Sequence, residues 1–366
     1  MERLDVAVVG GGVVGLAVAC AISERGRSTC LLERHPRMGL EASTHNSGVI
    51  HAGIYYPEES LKARLCVEGR DALYAFCTRN DIPHTRCGKL IVCSDATEIP
   101  ALEELAKRGR ANGVEDLCIV NTQFIKTHEP SIRACAALWS PSTGIVEAET
   151  LVRKLTQLAT AQDVFLLTGT AVLNGIAGSD GIELQTSRER IFAQAVVNAA
   201  GLYADDLSAM LGGETFTIYP VRGEYAELSP KAQKLVNGLI YPLPDRSGHG
   251  LGVHLTKTTW GTVTIGPTAH YQSVKNDYEG NRLKLESFYD SVLPLLPDLK
   301  IDDLRLGGTG IRAKLCPEHV PFEDFMLRRD TRVPCLIHAA GIDSPGLTAC
   351  LAIGKEVSKL VEETLT

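Results

Sequence analysis

The sequence predicts an α/β fold in which a Rossmann-type unit is interleaved with a mixed, mainly antiparallel sheet unit. Three observations carry this expectation. Leu4-Asp5-Val6-Ala7-Val8-Val9 is a short apolar, β-branched run of the kind found in buried parallel strands, and it leads directly into Gly10-Gly11-Gly12-Val13-Val14-Gly15. An alanine-rich amphipathic stretch to about Arg25 then reads as a helix closed by Gly26, followed by a second strand, Ser28-Thr29-Cys30-Leu31-Leu32, ending on Glu33. From Thr215 onward the pattern changes to stricter alternation, the signature of antiparallel strands.

Each residue type in the first segment has a chemical task. Gly10 permits a tight turn, Gly12 lets the backbone approach a pyrophosphate, and Gly15 lets helix and strand pack closely. The helix start, with Val13 and Val14, offers unpaired amides and a partial positive charge to phosphates. Glu33 stands roughly twenty residues on, where an acid accepts ribose hydroxyls. Strand, helix, second strand and acid in this order mark a dinucleotide site.

The composition narrows the class. With 366 residues, the chain can bury a large core and divide into two structural units. Its 44% hydrophobic and 22% charged residues are those of an ordinary globular protein, and a net charge of −7 argues against nucleic acid as a partner. No run approaches the roughly eighteen apolar residues of a transmembrane helix. A strand beginning within the first few residues leaves no room for a signal peptide, so a cytoplasmic location is expected, with peripheral contact at the inner membrane left open. The 11 cysteines are scattered without a C-x-x-C pair, as small core residues of a reducing compartment. No metal site is expected.

Taken in order, Pro57–Asn80 reads as a helix, Gly88–Cys93 as a strand and Ala96–Asn112 as a charged helix stopped by Gly113. Residues 136–140 and 144–146 are extended around Pro141-Ser142-Thr143-Gly144, and Ala148–Gln162 is helical. Phe165-Leu166-Leu167, Ala171-Val172-Leu173, Gly181–Thr186 and Arg190–Val197 resemble a meander with turns at Gly175, Gly178 and Gly181. Ala199-Ala200-Gly201 then offers another close backbone approach. Thr215–Leu228, Leu239–Pro242, Leu251–Thr256 and Gly261–Pro267 are the alternating strands, and Tyr278–Leu293 is a helix. Leu304–Cys316 contains Gly307-Gly308-Thr309-Gly310-Ile311-Arg312, and Ser344-Pro345-Gly346 opens a terminal helix, with Pro345 as its first residue.

These pieces carry a resemblance. Gly10–Gly15 with Glu33, His45-Asn46-Ser47-Gly48-Val49-Ile50-His51-Ala52-Gly53, Pro141–Val146, Arg222-Gly223-Glu224-Tyr225, Leu239-Ile240-Tyr241-Pro242, Leu251–Thr256 and the Ser344-Pro345 helix start span nearly the whole chain. Together they resemble the D-amino-acid-oxidase-like superfamily of FAD-dependent oxidoreductases, and within it the L-2-hydroxyglutarate dehydrogenase/oxidase family. The resemblance implies an FAD-binding domain from residues 1–76, 148–214 and 305–366, and a substrate domain from 77–147 and 215–304. The chain is shorter than typical members, and its Tyr271–Asp303 region is abbreviated. For the cofactor the resemblance implies Gly10, Gly12, Val13, Val14, Gly15, Glu33, Arg34, Thr44, His45, Asn46, Ser47, Val172, Ala200, Gly201, Arg312, Ser344, Pro345, Gly346, Leu347 and Thr348.

The implied reaction is oxidation of an L-2-hydroxy acid to a 2-oxo acid, by hydride transfer to flavin N5. It needs a base, and a neutral histidine suits that role. His254, on a substrate-domain strand, and His51, beside the presumed isoalloxazine loop, both qualify, and His51 is equally suited to orient the flavin or attach to it. Arg312 follows Gly310-Ile311, where superfamily members hold an arginine for a substrate carboxylate. Lys257 and Lys89 are candidates for a second carboxylate, a surface role being equally open to each. Tyr55 and Tyr225 would wall the pocket or donate a hydroxyl, plain packing being the commoner role of a tyrosine. Alternatives are a glycine- or sarcosine-type amine oxidase, a glycerol-3-phosphate-type dehydrogenase, a flavin-binding subunit without turnover, and an NAD-linked dehydrogenase. The electron acceptor is open among oxygen, a quinone and a carrier protein.

Overall fold

Apolar residues on both faces of the first strand place it in the middle of a parallel sheet. In the computed structural model, which describes residues 2–244 and 252–366, Glu2–Val9 pairs in parallel with Arg190–Asn198 on one side and Thr29–Leu32 on the other. Phe165–Leu167 extends the sheet beyond Thr29–Leu32. On the far side of Arg190–Asn198, the first half of the strand takes antiparallel Ile182–Thr186, and the second half takes parallel Leu336–Ala340. Thr29–Leu32 and Leu336–Ala340 are buried at every position, as strands covered on both faces must be.

Helices supply the covers. Val13–Ser23, Leu61–Arg79, Ala148–Ala161 and Gly346–Leu365 pack over Val6 and Val8. Leu207, Leu211 and the Ile182–Thr186 meander cover Ala7 and Val9 from below. Small residues set the helix crossings: a Cβ on Gly354 would lie 2.6 Å from the Ala17 carbonyl oxygen, and one on Gly69 would lie 2.6 Å from the Thr348 carbonyl oxygen.

The second sheet is largely antiparallel and has nine strands among the described residues. Tyr219–Leu228 is flanked by Leu304–Lys314 on one edge and by Val263–Gly266 and His270–Tyr271 on the other. His254–Lys257, Leu239–Pro242, Lys89–Cys93, Ala136–Ser140 and Cys118–Asn121 follow in that order. One face, with Leu90, Ala226, Ile240, Leu255 and Ile265, forms an apolar core with Phe288 and Val292 of the helix Leu285–Val292. A small third sheet joins Val49–Ile50, His84–Thr85 and Gly144–Val146.

Several expectations are corrected. Leu304–Lys314 is one strand of the second sheet, so a boundary at 305 cuts through an element whose pairing with Tyr219–Leu228 runs its whole length. The helix expected over Tyr278–Leu293 is confined to Leu285–Val292. Upstream of it, Glu224 accepts the Leu283 amide at 2.9 Å, so a tertiary partner takes an amide that a helix would need. Gly175 lies inside the strand Val172–Ala177 rather than in a turn. Pro345 caps the last helix from outside instead of opening it. Leu251, the start of one expected strand, lies outside the described residues, as does Met1. The cysteines other than Cys30 are free thiols, and among the described residues no helix is long and apolar enough to cross a membrane.

The crossing at Gly354 makes a direct stability prediction. Gly354→Val should lower the unfolding free energy by about 1–3 kcal/mol through overpacking against the Ala17 backbone, measured by urea denaturation.

Candidate active site

The turn after the first strand is built from glycines because backbone occupies the space a side chain would take. Gly10 has φ +114°, and a Cβ there would collide with the Ala199 carbonyl oxygen. A Cβ on Gly15 would collide with the Gly10 carbonyl oxygen, which is the helix–strand contact expected of that position. Gly12 caps the helix, and its missing side chain leaves room for Ser43, whose Oγ accepts the Val13 amide at 2.8 Å. The amides of Gly12, Val14 and Gly15 have no acceptor among the described residues. Glu33 is buried, and its carboxylate accepts the Gly11 amide at 2.8 Å and the His35 amide at 2.7 Å. Each oxygen keeps a lone pair for a further donor. Open helix amides beside a buried acid fit the pyrophosphate and ribose of a dinucleotide.

The neighbouring loop uses its side chains mainly to hold itself. Thr44 donates its hydroxyl to the Gly39 carbonyl at 2.7 Å, and the Asn46 amide donates to the Ala42 and Ser43 carbonyls while its oxygen accepts the Gly48 amide. His45 Nδ1 contacts the Glu41 carbonyl at 2.9 Å. Arg34 pairs with Glu41 and lies 3.7 Å above the Tyr203 ring. Val172 and Ala200 pack against the lower core of the first sheet, and Gly201, at φ +55°, opens the turn that follows.

The reactive end is organised by strand alternation. Paired and alternate residues of a sheet share a face, and register pairs Lys89 with Leu239 and Leu239 with Thr256. Tyr241 and His254 therefore share the face of Lys89, opposite the Leu90–Ile240–Leu255 core. Their rings stack at 3.7 Å with an interplanar angle of 18°. Further along, Gly223 leaves space for the Arg312 guanidinium, since a Cβ there would lie 3.1 Å from Nη2. Arg312 donates Nη1–H to the Thr268 carbonyl at 3.1 Å. Tyr225 lies between this arginine and Ser47. Gly310 sits directly beneath the His45 carbonyl, so the sheet meets the loop of the first unit with no side chain between them.

His51 reaches the same region from the other unit. Its backbone amide donates to Thr348 Oγ1 at 3.0 Å, and its Nε2 lies 3.2 Å from Ser344 Oγ, tying the loop to the last helix. The buried pair Lys62–Asp343, at 2.8 Å, holds the segment just before that helix. The Gly346 amide donates back to Asp343, and the Leu347 and Thr348 amides have no acceptor among the described residues. This twenty-residue helix thus presents open, partly positive amides beside His51.

Burial and charge set the protonation states. Burial pushes His51 down to about 3, with smaller contributions in the same direction from Lys89 and from the nearby His254. Burial also pushes His254 down to about 3, against the opposing pull of its bond to Gly252 and with help from Lys89 and Arg312. His254 Nδ1 must carry the proton, because its partner at 2.9 Å is the Gly252 carbonyl. Nε2 is therefore an unprotonated acceptor. Burial brings Lys89 down to about 7 and raises Tyr55 well above its ordinary value.

Sequence reasoning brought His51, His254, Arg312, Tyr55 and Tyr225 to this region. It missed Ser43 and the Lys62–Asp343 pair, whose roles depend on contacts remote in sequence. Tyr241 was noticed only as part of a motif. Lys89 is 1% exposed, so a surface role is excluded for it; a lysine opening the run Lys-Leu-Ile-Val-Cys was the available signal. Lys257 donates to the Val236 carbonyl at 3.1 Å and, one residue past Thr256, alternates away from the face of His254. In the Arg222–Tyr225 motif, Arg222 and Glu224 point to the opposite face and form a buried pair at 3.0 Å.

Comparison with known proteins agrees with this architecture. The sequence profile of the FAD dependent oxidoreductase family matches residues 5–360. The chain belongs to that family. It is 36% identical to a mitochondrial L-2-hydroxyglutarate dehydrogenase of Arabidopsis thaliana, over 98% of this chain and 83% of the relative. It is 30% identical to an L-2-hydroxyglutarate dehydrogenase of Indibacter alkaliphilus, over 96% and 97%. Among solved structures, an FAD-bound L-alpha-glycerophosphate oxidase from Mycoplasma pneumoniae superposes with a TM-score of 0.90 at 27% identity, covering 99% of this chain and 95% of that one. A glycine oxidase from Geobacillus kaustophilus, at 24% identity and a TM-score of 0.84 over 99% and 95%, shares the fold. The protein is an FAD-dependent oxidoreductase.

The motif result is testable. Arg222→Met should cost about 3–5 kcal/mol of stability by leaving Glu224 buried with its closest charge partner gone. Urea denaturation measures the loss, and the flavin spectrum of the folded fraction should be unchanged.

Proposed function

We propose that this protein oxidises L-2-hydroxyglutarate to 2-oxoglutarate, with FAD held in the glycine cradle. The carrying observation is a neutral histidine of defined tautomer, His254, on the same sheet face as the Arg312 guanidinium. The substrate follows from relatives of that name in plants, animals and bacteria, aligned over nearly the whole chain.

FAD supplies, when bound, the hydride acceptor at N5 for the hydrogen on the substrate's C2. The chain's residues supply everything else. The open amides of Gly12, Val14 and Gly15 and the Glu33 carboxylate hold the dinucleotide at one end. The Leu347 and Thr348 amides, at the positive end of the last helix, would offer hydrogen-bond donors and partial positive charge to a flavin held there. Arg312 binds the carboxylate beside the reacting carbon through its second guanidinium nitrogen and orients C2. His254 Nε2 accepts the hydroxyl proton while Gly252 holds the ring by Nδ1–H. His51, pinned through Ser344 and Thr348, positions the loop against the ring. Tyr55, Tyr225 and Tyr241 keep water from the site.

An anaerobic panel on the flavin-loaded enzyme tests the reading. L-2-hydroxyglutarate should bleach the flavin; bleaching by glycerol 3-phosphate, glycine or sarcosine in its place would overturn it. Readmitting oxygen, or adding a quinone, then identifies the acceptor.

Two variants test the assignments. His254→Ala should slow flavin reduction ~10²–10⁴-fold, whereas an unchanged rate would move the base to His51. Arg312→Ala should weaken substrate binding by ~2–5 kcal/mol and leave FAD in place.

The pH dependence has a defined sign. His254 is held below its ordinary value of 6.5, at about 3, so it stays neutral and competent as pH falls through 6.5. Stopped-flow reduction should therefore show no acid limb near pH 6.5.

A further inference from the structure

We infer that Lys89 is a specificity-determining residue that holds the distal carboxylate of a dicarboxylic substrate, an assignment that rests on the functional reading above. Lys89 is 1% exposed, and its ammonium has no hydrogen-bond partner among the described residues. It forms no ion pair with a carboxylate among the described residues. It rests 4.5 Å from the centre of the Tyr55 ring and 4.5 Å from that of Tyr241. A cation buried without an anion is costly, and two aromatic faces offset only part of that cost.

The location of this charge tells which anion it awaits. Tyr241 carries Lys89 against its ring and His254 stacked at 3.7 Å, so a single side chain spaces the ammonium from the base. Arg312 approaches the same histidine from the other end of the sheet face. A substrate whose hydroxyl meets His254 and whose first carboxylate meets Arg312 would direct a second carboxylate toward Lys89. A monocarboxylic hydroxy acid leaves the ammonium unpaired in a site closed to water.

The titratable groups facing Lys89 are Tyr55 on the loop, Cys66 on the helix Leu61–Arg79, Tyr241 on the adjacent strand, and the two histidines. None is an anion near neutrality: both histidines are held neutral, and burial raises the phenols and the Cys66 thiol. Incoming carboxylate would thus have no competitor among them.

The test compares Lys89→Met and Lys89→Arg with wild type, using flavin absorbance to follow anaerobic binding of 2-oxoglutarate and 2-oxobutyrate to the FAD-loaded enzyme. Lys89→Met should weaken 2-oxoglutarate by ~10²-fold or more and change 2-oxobutyrate by less than about threefold. Equal weakening of both ligands, or of neither, overturns the assignment. If Lys89→Met does not fold, pH decides between wild type and Lys89→Arg. Wild-type affinity for 2-oxoglutarate should fall as pH rises above about 7 and the ammonium is lost, while Lys89→Arg, which does not titrate there, stays flat. The same alkaline loss in both proteins also overturns it. Should L-2-hydroxyglutarate fail to bleach wild-type flavin, the functional reading fails, yet the diacid–monoacid comparison still reports on Lys89.

Discussion

Strand alternation in the second sheet is the constraint on which the site depends. Successive residues must take opposite faces, so the same strands build an apolar core below and a polar surface above. Leu90, Ile240 and Leu255 go down to Phe288, while Lys89, Tyr241 and His254 go up. A shift of one residue in any of these pairings would bury the wrong set. The hydrophobic core therefore fixes the site's register without touching the site, and the chemistry is as rigid as the core beneath it.

The sheet becomes an active site only where the other unit closes over it, and that closure relies on missing or shared atoms. Gly310 lets the sheet lie against the His45 backbone, and Gly69 lets the last helix approach the helix Leu61–Arg79. Thr348 ties the last helix to the Val49–His51 segment, accepting the His51 amide and donating to the Val49 carbonyl. The Lys62–Asp343 pair is nearly buried, so its partners hold the segment leading into the last helix firmly in one position. The result is a buried neutral histidine, His254, with an unprotonated acceptor nitrogen, placed on one face with Lys89 and Arg312 from positions more than two hundred residues apart.

Most of the first sheet was legible in local sequence because its signals are local. The run Val6–Val9, the spacing of Gly10, Gly12 and Gly15, and an acid at Glu33 each need only a few neighbours for interpretation. Errors arose where distant partners overrode local preference. Glu224 captures the amide of Leu283 and stops a helix from forming upstream, and eleven residues from Leu304 join a strand ladder rather than the nucleotide unit. The Arg222–Tyr225 motif shows the same limit: adjacent residues looked like one functional group, but the sheet sends Arg222 and Glu224 to structural work on the opposite face.

The sequence by itself determined the fold class, the dinucleotide cradle, the family resemblance and the residue types able to do the chemistry, because those rest on short-range patterns and on motifs quoted whole. Only the tertiary structure decided which polar side chains share one enclosed space. Lys89 and Lys257 were equal candidates in the sequence. Folding buries the first against two tyrosine rings and leaves the second bonded to a backbone carbonyl away from the histidines. The physical reason is that burial and protonation state belong to the surroundings of a side chain, and those surroundings exist only once remote strands have paired.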